Sequence, residues 1–190
     1  MAHIGSPLST REHAATSRKQ RGFSLIELLI VVAIIVIIIT MALPGLKNYR
    51  MNANEVSAVA SLRAIGLAES QYQSTYPTKG FADNLAALGT GGLANGTSCA
   101  PSPEHACILD STLTTGAKQG YRFVVLGTNP VNGVNQSYSA GAAPLVYNSS
   151  GARMFCITSE DSQIRADANL GASTTPPAGP ACTSGQFSPM

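Results

Sequence analysis

One unbroken apolar run near the N-terminus, residues 23–43, dominates the pattern of hydrophobic and polar positions, and it carries a single charge, Glu27. About 20 helical residues cross the ~30 Å hydrocarbon core of a bilayer, so the run predicts a transmembrane helix. Residues 28–39 are apolar without interruption and rich in β-branched side chains, which argues against the one-sided helix of a soluble core. Pro44-Gly45 follows. Proline removes a backbone donor and glycine adds freedom, so a kink or a melted stretch is expected around residues 40–46, with the helix resuming afterwards. From Leu46 to Tyr76 the apolar positions Val56, Val59, Leu62, Ile65, Tyr72 and Tyr76 recur mostly at steps of three or four. Lys47, Asn52, Glu55, Arg63 and Glu69 fall between them. That spacing predicts an amphipathic helix with one face for a core. Joined to the apolar run, it makes a helix of roughly 54 residues and ~80 Å.

Tyr76-Pro77 stops the pattern. Residues 80–118 hold Gly89-Thr-Gly-Gly92, Asn95-Gly96 and Pro101-Ser-Pro103, and read as an irregular connection with a short helix over 83–88. Strand patterns begin at Gly120. Residues 121–126 (YRFVVL), 136–143 (QSYSAGAA), 152–158 (ARMFCIT) and 163–166 (QIRA) predict four strands. Turn chemistry at 129–133, 149–151 and 160–162 separates them. Short turns between consecutive strands imply an antiparallel meander. The fold class is therefore α+β, a long N-terminal helix packed on a four-stranded antiparallel sheet. The tail from Gly171 is rich in Thr, Pro and Gly and shows no pattern.

Charge adds orientation. The chain of 190 residues has a formal net charge of +2. Residues 1–22 hold four of its twelve basic residues and one of its ten acidic ones, so the remainder has eight against nine, a net of −1. No basic face is left that would predict nucleic-acid binding. Arg11, Arg18, Lys19 and Arg21 precede the apolar run, against Lys47 and Arg50 just after it. This puts the N-terminal side in the cytoplasm and the C-terminal part outside.

An exported domain suits the cysteines. Cys99, Cys107, Cys156 and Cys182 are even in number and predict disulfides. Four cysteines allow three connectivities. Cys99–Cys107 with Cys156–Cys182 is favoured because each closes a short loop containing Pro or Gly. A zinc site built on Cys99, Cys107 and His105 is the rival, and the absence of any CxxC spacing weighs against it. Outside residues 1–22, His105 is the only histidine. Catalytic sets that need one would hinge on it, and nothing near it suggests activation. No GxGxxG, P-loop or HExxH occurs. Glu160-Asp161 reads as a solvated turn, with a calcium cluster as the minor alternative. Asn95, Asn135 and Asn148 fit the glycosylation triplet, a short pattern that says little by itself. The expectation is a protein that is not an enzyme and holds no cofactor or metal.

Residues 21–34, RGFSLIELLIVVAI, resemble the N-terminal signature of type IV pilins and pseudopilins. The resemblance covers residues 18 to about 50. It implies that a membrane prepilin peptidase cuts between Gly22 and Phe23, that the new N-terminal Phe23 is N-methylated, and that Glu27 is retained. Glu27 then meets the amine of Phe23 on a neighbouring subunit. Pro44 stands where many pilins have a helix-disturbing proline. The implied partners are other copies and other pilins in a helical filament, the peptidase, the inner-membrane assembly machinery and, before assembly, the membrane. The implied location is the bacterial inner membrane for the precursor and the cell surface for the filament. A secretory signal peptide or plain anchor gains nothing from Glu27. The stretch from Tyr138 through Pro144 and Ser150 to Arg165 more weakly resembles the C-terminal sheet of many bacterial pilin-like proteins. A type II secretion pseudopilin is the rival within the resemblance. The chain lacks the tryptophan and the clear calcium loop of the major pseudopilins. A monomeric membrane-anchored periplasmic binding domain is the rival of another class, and it leaves Glu27 unexplained. The expected organisation is a leader at 1–22, an assembly helix at 23–43 and an amphipathic helix at 44–76. A connecting region at 77–119, a sheet at 120–170 and a tail at 171–190 follow.

Overall fold

The computed structural model describes residues 23–92, 98–169 and 171–190, with residues 42–44 described by their backbone alone. The cut at Gly22, residues 1–22 and the Asn95 triplet lie outside the described residues. Contacts divide the chain at Met41/Ala42.

Helix α1 runs from Leu25 to Thr75 and is helical through Pro44 and Gly45. It ends where Tyr76 precedes Pro77, because the proline ring disfavours the α conformation in the residue before it. Gly80, at φ +77, turns the chain back with its N–H bonded to the Tyr76 carbonyl. Within the unit that begins at Ala42, the buried stripe of α1 is Glu55, Ala58, Leu62, Ile65, Glu69 and Tyr72. The steps are three, four, three, four and three, one side of a 3.6-residue helix. Val56, expected on the core face, lies off this stripe and is 71% exposed. Full burial of Leu62 and Ile65 contributes about 1.5–3 kcal/mol each.

The sheet has six antiparallel strands in sequence order, where four were expected. They are β1 (Ala117–Lys118), β2 (Tyr121–Val131), β3 (Val134–Pro144), β4 (Met154–Thr158), β5 (Arg165–Asp167) and β6 (Ser188–Pro189). The extra pair, β1 and β6, are two residues long and too short to show alternation. The β2–β3 turn is also tighter than expected. Residues 129–131 continue β2, and the turn is Asn132-Gly133, both at positive φ, with Val131 opposite Val134. That is the two-residue hairpin favoured by strand twist.

One face of the sheet packs on α1, and the other is covered in part by the tail. Tyr121, Phe123 and Val125 of β2, Tyr138, Ala140 and Ala142 of β3, and Phe155 and Ile157 of β4 join the α1 stripe in one core. Gly66 permits the close approach: a side chain there would press on Ile157 and the Tyr138 hydroxyl. Alternate residues of β4, Met154 and Cys156, face a second small cluster with Cys182 and Phe187 from the tail. The patternless tail is therefore a covering layer, helped by a 3₁₀ turn over Gly179–Thr183. The Gly179 N–H donates to Ser139 Oγ at 2.6 Å. A Cβ on Gly141 would overlap the Pro177 carbonyl. Gly141→Ala should lower stability by about 1–3 kcal/mol through overpacking, measured by urea unfolding. No change would mean that the tail does not sit tightly on β3.

Residues 80–118 contain a 3₁₀ turn over Leu85–Leu88, capped by Asn84, and a short helix α2 (Ser111–Thr114), capped by Asp110. The region nevertheless supplies Phe81, Ala82, Leu85, Leu88, Leu109 and Leu113 to the main core.

Candidate assembly site

Phe23 and Ser24 lead into α1, and Glu27 lies in its first turn. The amides of Glu27 and Leu28 donate to the Ser24 carbonyl at 3.1 and 3.2 Å. A carboxylate here meets the positive end of the helix dipole, worth about 0.3–1 kcal/mol. Phe23 is 80% exposed, and residues 25–39 are exposed on every side of the helix. A helix apolar all round needs lipid or protein against it. No single helix among the described residues is long and apolar enough to cross a membrane, while Leu25–Met41 taken with Gly45–Thr75 qualifies as a broken span by length and composition. Alone, Leu25–Met41 covers roughly 25 Å, short of the ~30 Å of hydrocarbon.

Two carboxylates fasten the rest of α1, and both were expected on its polar side. Glu55, 5% exposed, accepts the amides of Ala152 and Arg153 at 3.0 and 3.2 Å through Oε1. Its Oε2 accepts Arg153 Nε and Nη2, each at 2.8 Å. The Arg153 guanidinium lies over the Phe155 ring at 5.4 Å. Asn54 adds a bond to the Ser150 carbonyl at 2.8 Å. Glu69, fully buried, accepts the Ala82 amide at 2.9 Å. The signal for both was present, since they continue the spacing of Leu62, Ile65 and Tyr72. Reading acidic residues as solvated by default hid it.

Cys99 is bonded to Cys107 and Cys156 to Cys182, with Cα separations of 6.1 and 5.6 Å. His105 has no thiolate beside it to share a metal. Among the described residues no group of three or more His, Cys, Asp or Glu side chains is placed to hold a metal ion. Asp161 is paired with Arg165, which holds its carboxyl below the usual range. A cleft of about 210 Å³ opens between β2, β3 and the 179–183 turn. It is lined by hydroxyls such as Thr128, Ser139 and Thr158, and its only carboxylate is the exposed Glu160. Asn135, one of the glycosylation candidates, is buried and bonded to Phe81 and Asp83.

Residues 17–43 match the model of the prokaryotic N-terminal methylation motif. This is the prepilin motif of type IV pilins and pseudopilins, and it indicates a structural subunit made as a precursor for prepilin peptidase. The match covers less than half of the chain and does not reach the sheet. No curated protein and no solved structure matches the sequence.

Proposed function

We propose that the chain is the precursor of a type IV pilus-like filament subunit. Prepilin peptidase cuts between Gly22 and Phe23, the Phe23 amine is methylated, and the subunit polymerises through residues 23–43. The observation that carries this reading is the methylation motif at the head of a helix exposed and apolar on every side, with Glu27 alone in its first turn. Before assembly that surface lies in the inner membrane, with the leader cytoplasmic and the sheet domain outside. In the filament, neighbouring helices replace lipid. An ionised carboxylate in lipid costs on the order of 2.5–3.5 kcal/mol. A neighbour's N-terminal amine offsets that cost for Glu27, because a paired buried charge is tolerated where a lone one is not. The Pro44-Gly45 pair gives this helix a point at which to yield during packing.

Mass spectrometry of filaments sheared from native cells tests the proposal. The expected N-terminal peptide begins at N-methyl-Phe23. An intact leader, or a start after Ala42, in competent cells would overturn it. Processed protein found only in membranes would favour the pseudopilin alternative. Glu27→Gln should cut surface filaments by about tenfold or more, the equivalent of ~1.4 kcal/mol per contact, while precursor cleavage continues. Undiminished filaments would remove the pairing role.

A further inference from the structure

Glu55 and Glu69 share one helix stripe but not one chemistry. Glu55 has four donors, two of them from the Arg153 guanidinium. Glu69 has one donor, the Ala82 amide on Oε2, and its Oε1 has no partner. Among the described residues no cation forms an ion pair with it. The titratable groups acting around it are Asp83 from the segment after α1, Tyr72 on α1 and Tyr138 on β3. None of them supplies positive charge. A bare, fully buried carboxylate is far costlier than a neutral acid. The segment it holds is otherwise fastened through Asn135. The Phe81 amide donates to the Asn135 carbonyl at 3.1 Å, and Asn135 Nδ2 donates to Phe81 and Asp83 at 3.0 and 2.6 Å.

We propose that Glu69 is a proton-controlled latch: protonated, it holds the Phe81–Ala82–Asp83 segment on the end of α1, and ionised, it releases that segment. Release exposes Phe81, which packs on the Tyr138 ring at 5.0 Å, and loosens the start of the 80–118 region. Burial pushes the carboxyl up, opposed by the Ala82 hydrogen bond and helped by the Asp83 charge, to about 8. The folded form therefore binds a proton that the open form gives up. Closure is undiminished below the free carboxyl value near 4.5 and weakens as pH rises towards about 8.

Hydrogen exchange of the full chain in detergent micelles tests the latch between pH 5 and 8. At Phe81, Ala82 and Asn135 exchange should accelerate by about tenfold per pH unit beyond ordinary base catalysis, because each unit shifts the open form's proton balance tenfold. Amides in the middle of the β2–β3 ladder should follow base catalysis alone. Glu69→Gln should abolish the extra acceleration at the latch. Matching pH profiles for the variant and the parent would overturn the proposal. A carboxyl-carbon NMR titration of the parent protein keeps the test independent of whether the variant folds. A Glu69 midpoint near 8 supports the latch, and one near 4.5 refutes it.

Discussion

Glu55→Ala should lower the stability of the unit from Ala42 onward by about 2–5 kcal/mol. The substitution leaves the part-buried amides of Ala152 and Arg153 without their carboxylate acceptor, at up to about 1–3 kcal/mol each. Loss of the ion pair adds little, because the Arg153 side chain is 46% exposed and solvent screens its charge. Glu55→Gln keeps an oxygen for the two amides and should cost clearly less. Urea unfolding of the full chain in micelles, followed by near-UV circular dichroism, separates the two variants. Equal losses would show that charge, and not amide satisfaction, sets the cost.

The second large effect concerns the tail. Cys156 and Cys182 are both fully buried and lie 26 residues apart in sequence. Removing the bridge by a double Cys→Ala change should cost about 3–4 kcal/mol from restored chain freedom, or ~2–4 °C of melting temperature per kcal/mol. Phe187 and β6 should then loosen, because only the two-residue β5–β6 pairing, the Met190–Ile164 backbone bond, the Gly179–Ser139 hydrogen bond and the Pro177 contact on Gly141 would still hold the described part of the tail to the sheet. Limited proteolysis should cut first within residues 171–190. The Cys99–Cys107 loop spans only 8 residues, and its removal should cost about 1 kcal/mol less. Equal melting shifts for the two bridges would contradict the chain-entropy account.

Much of this architecture is visible in the sequence where one physical demand acts alone. The apolar run of α1, the β-branched and aromatic residues of β2, and the short turns between strands each answer to burial or hydrogen bonding along a single element. What was hidden depends on partners distant in sequence. Glu55 is buried because residues 152–153 bring it donors, 97 and 98 positions away. The tail lacks periodicity because a 3₁₀ turn, a disulfide and one aromatic do its packing. Val56 misled because apolar character was counted without angular position. At the candidate assembly site, Glu27 stood out because a lone charge in a long apolar run is costly enough to demand an explanation, and Phe23 through the resemblance of residues 21–34 to the pilin signature.

The Glu55 fastening also sets how the domain would bear force. A pull along α1 enters the sheet unit at Asn54 and Glu55 and passes to residues 150–153. It continues directly into β4, which Cys156 cross-links to the tail. This load path is short and ends in a covalent bond. The β2–β3 hairpin tip at Asn132-Gly133 lies away from it. That surface can therefore change in sequence, and so in what it touches, without weakening the line of tension through the subunit.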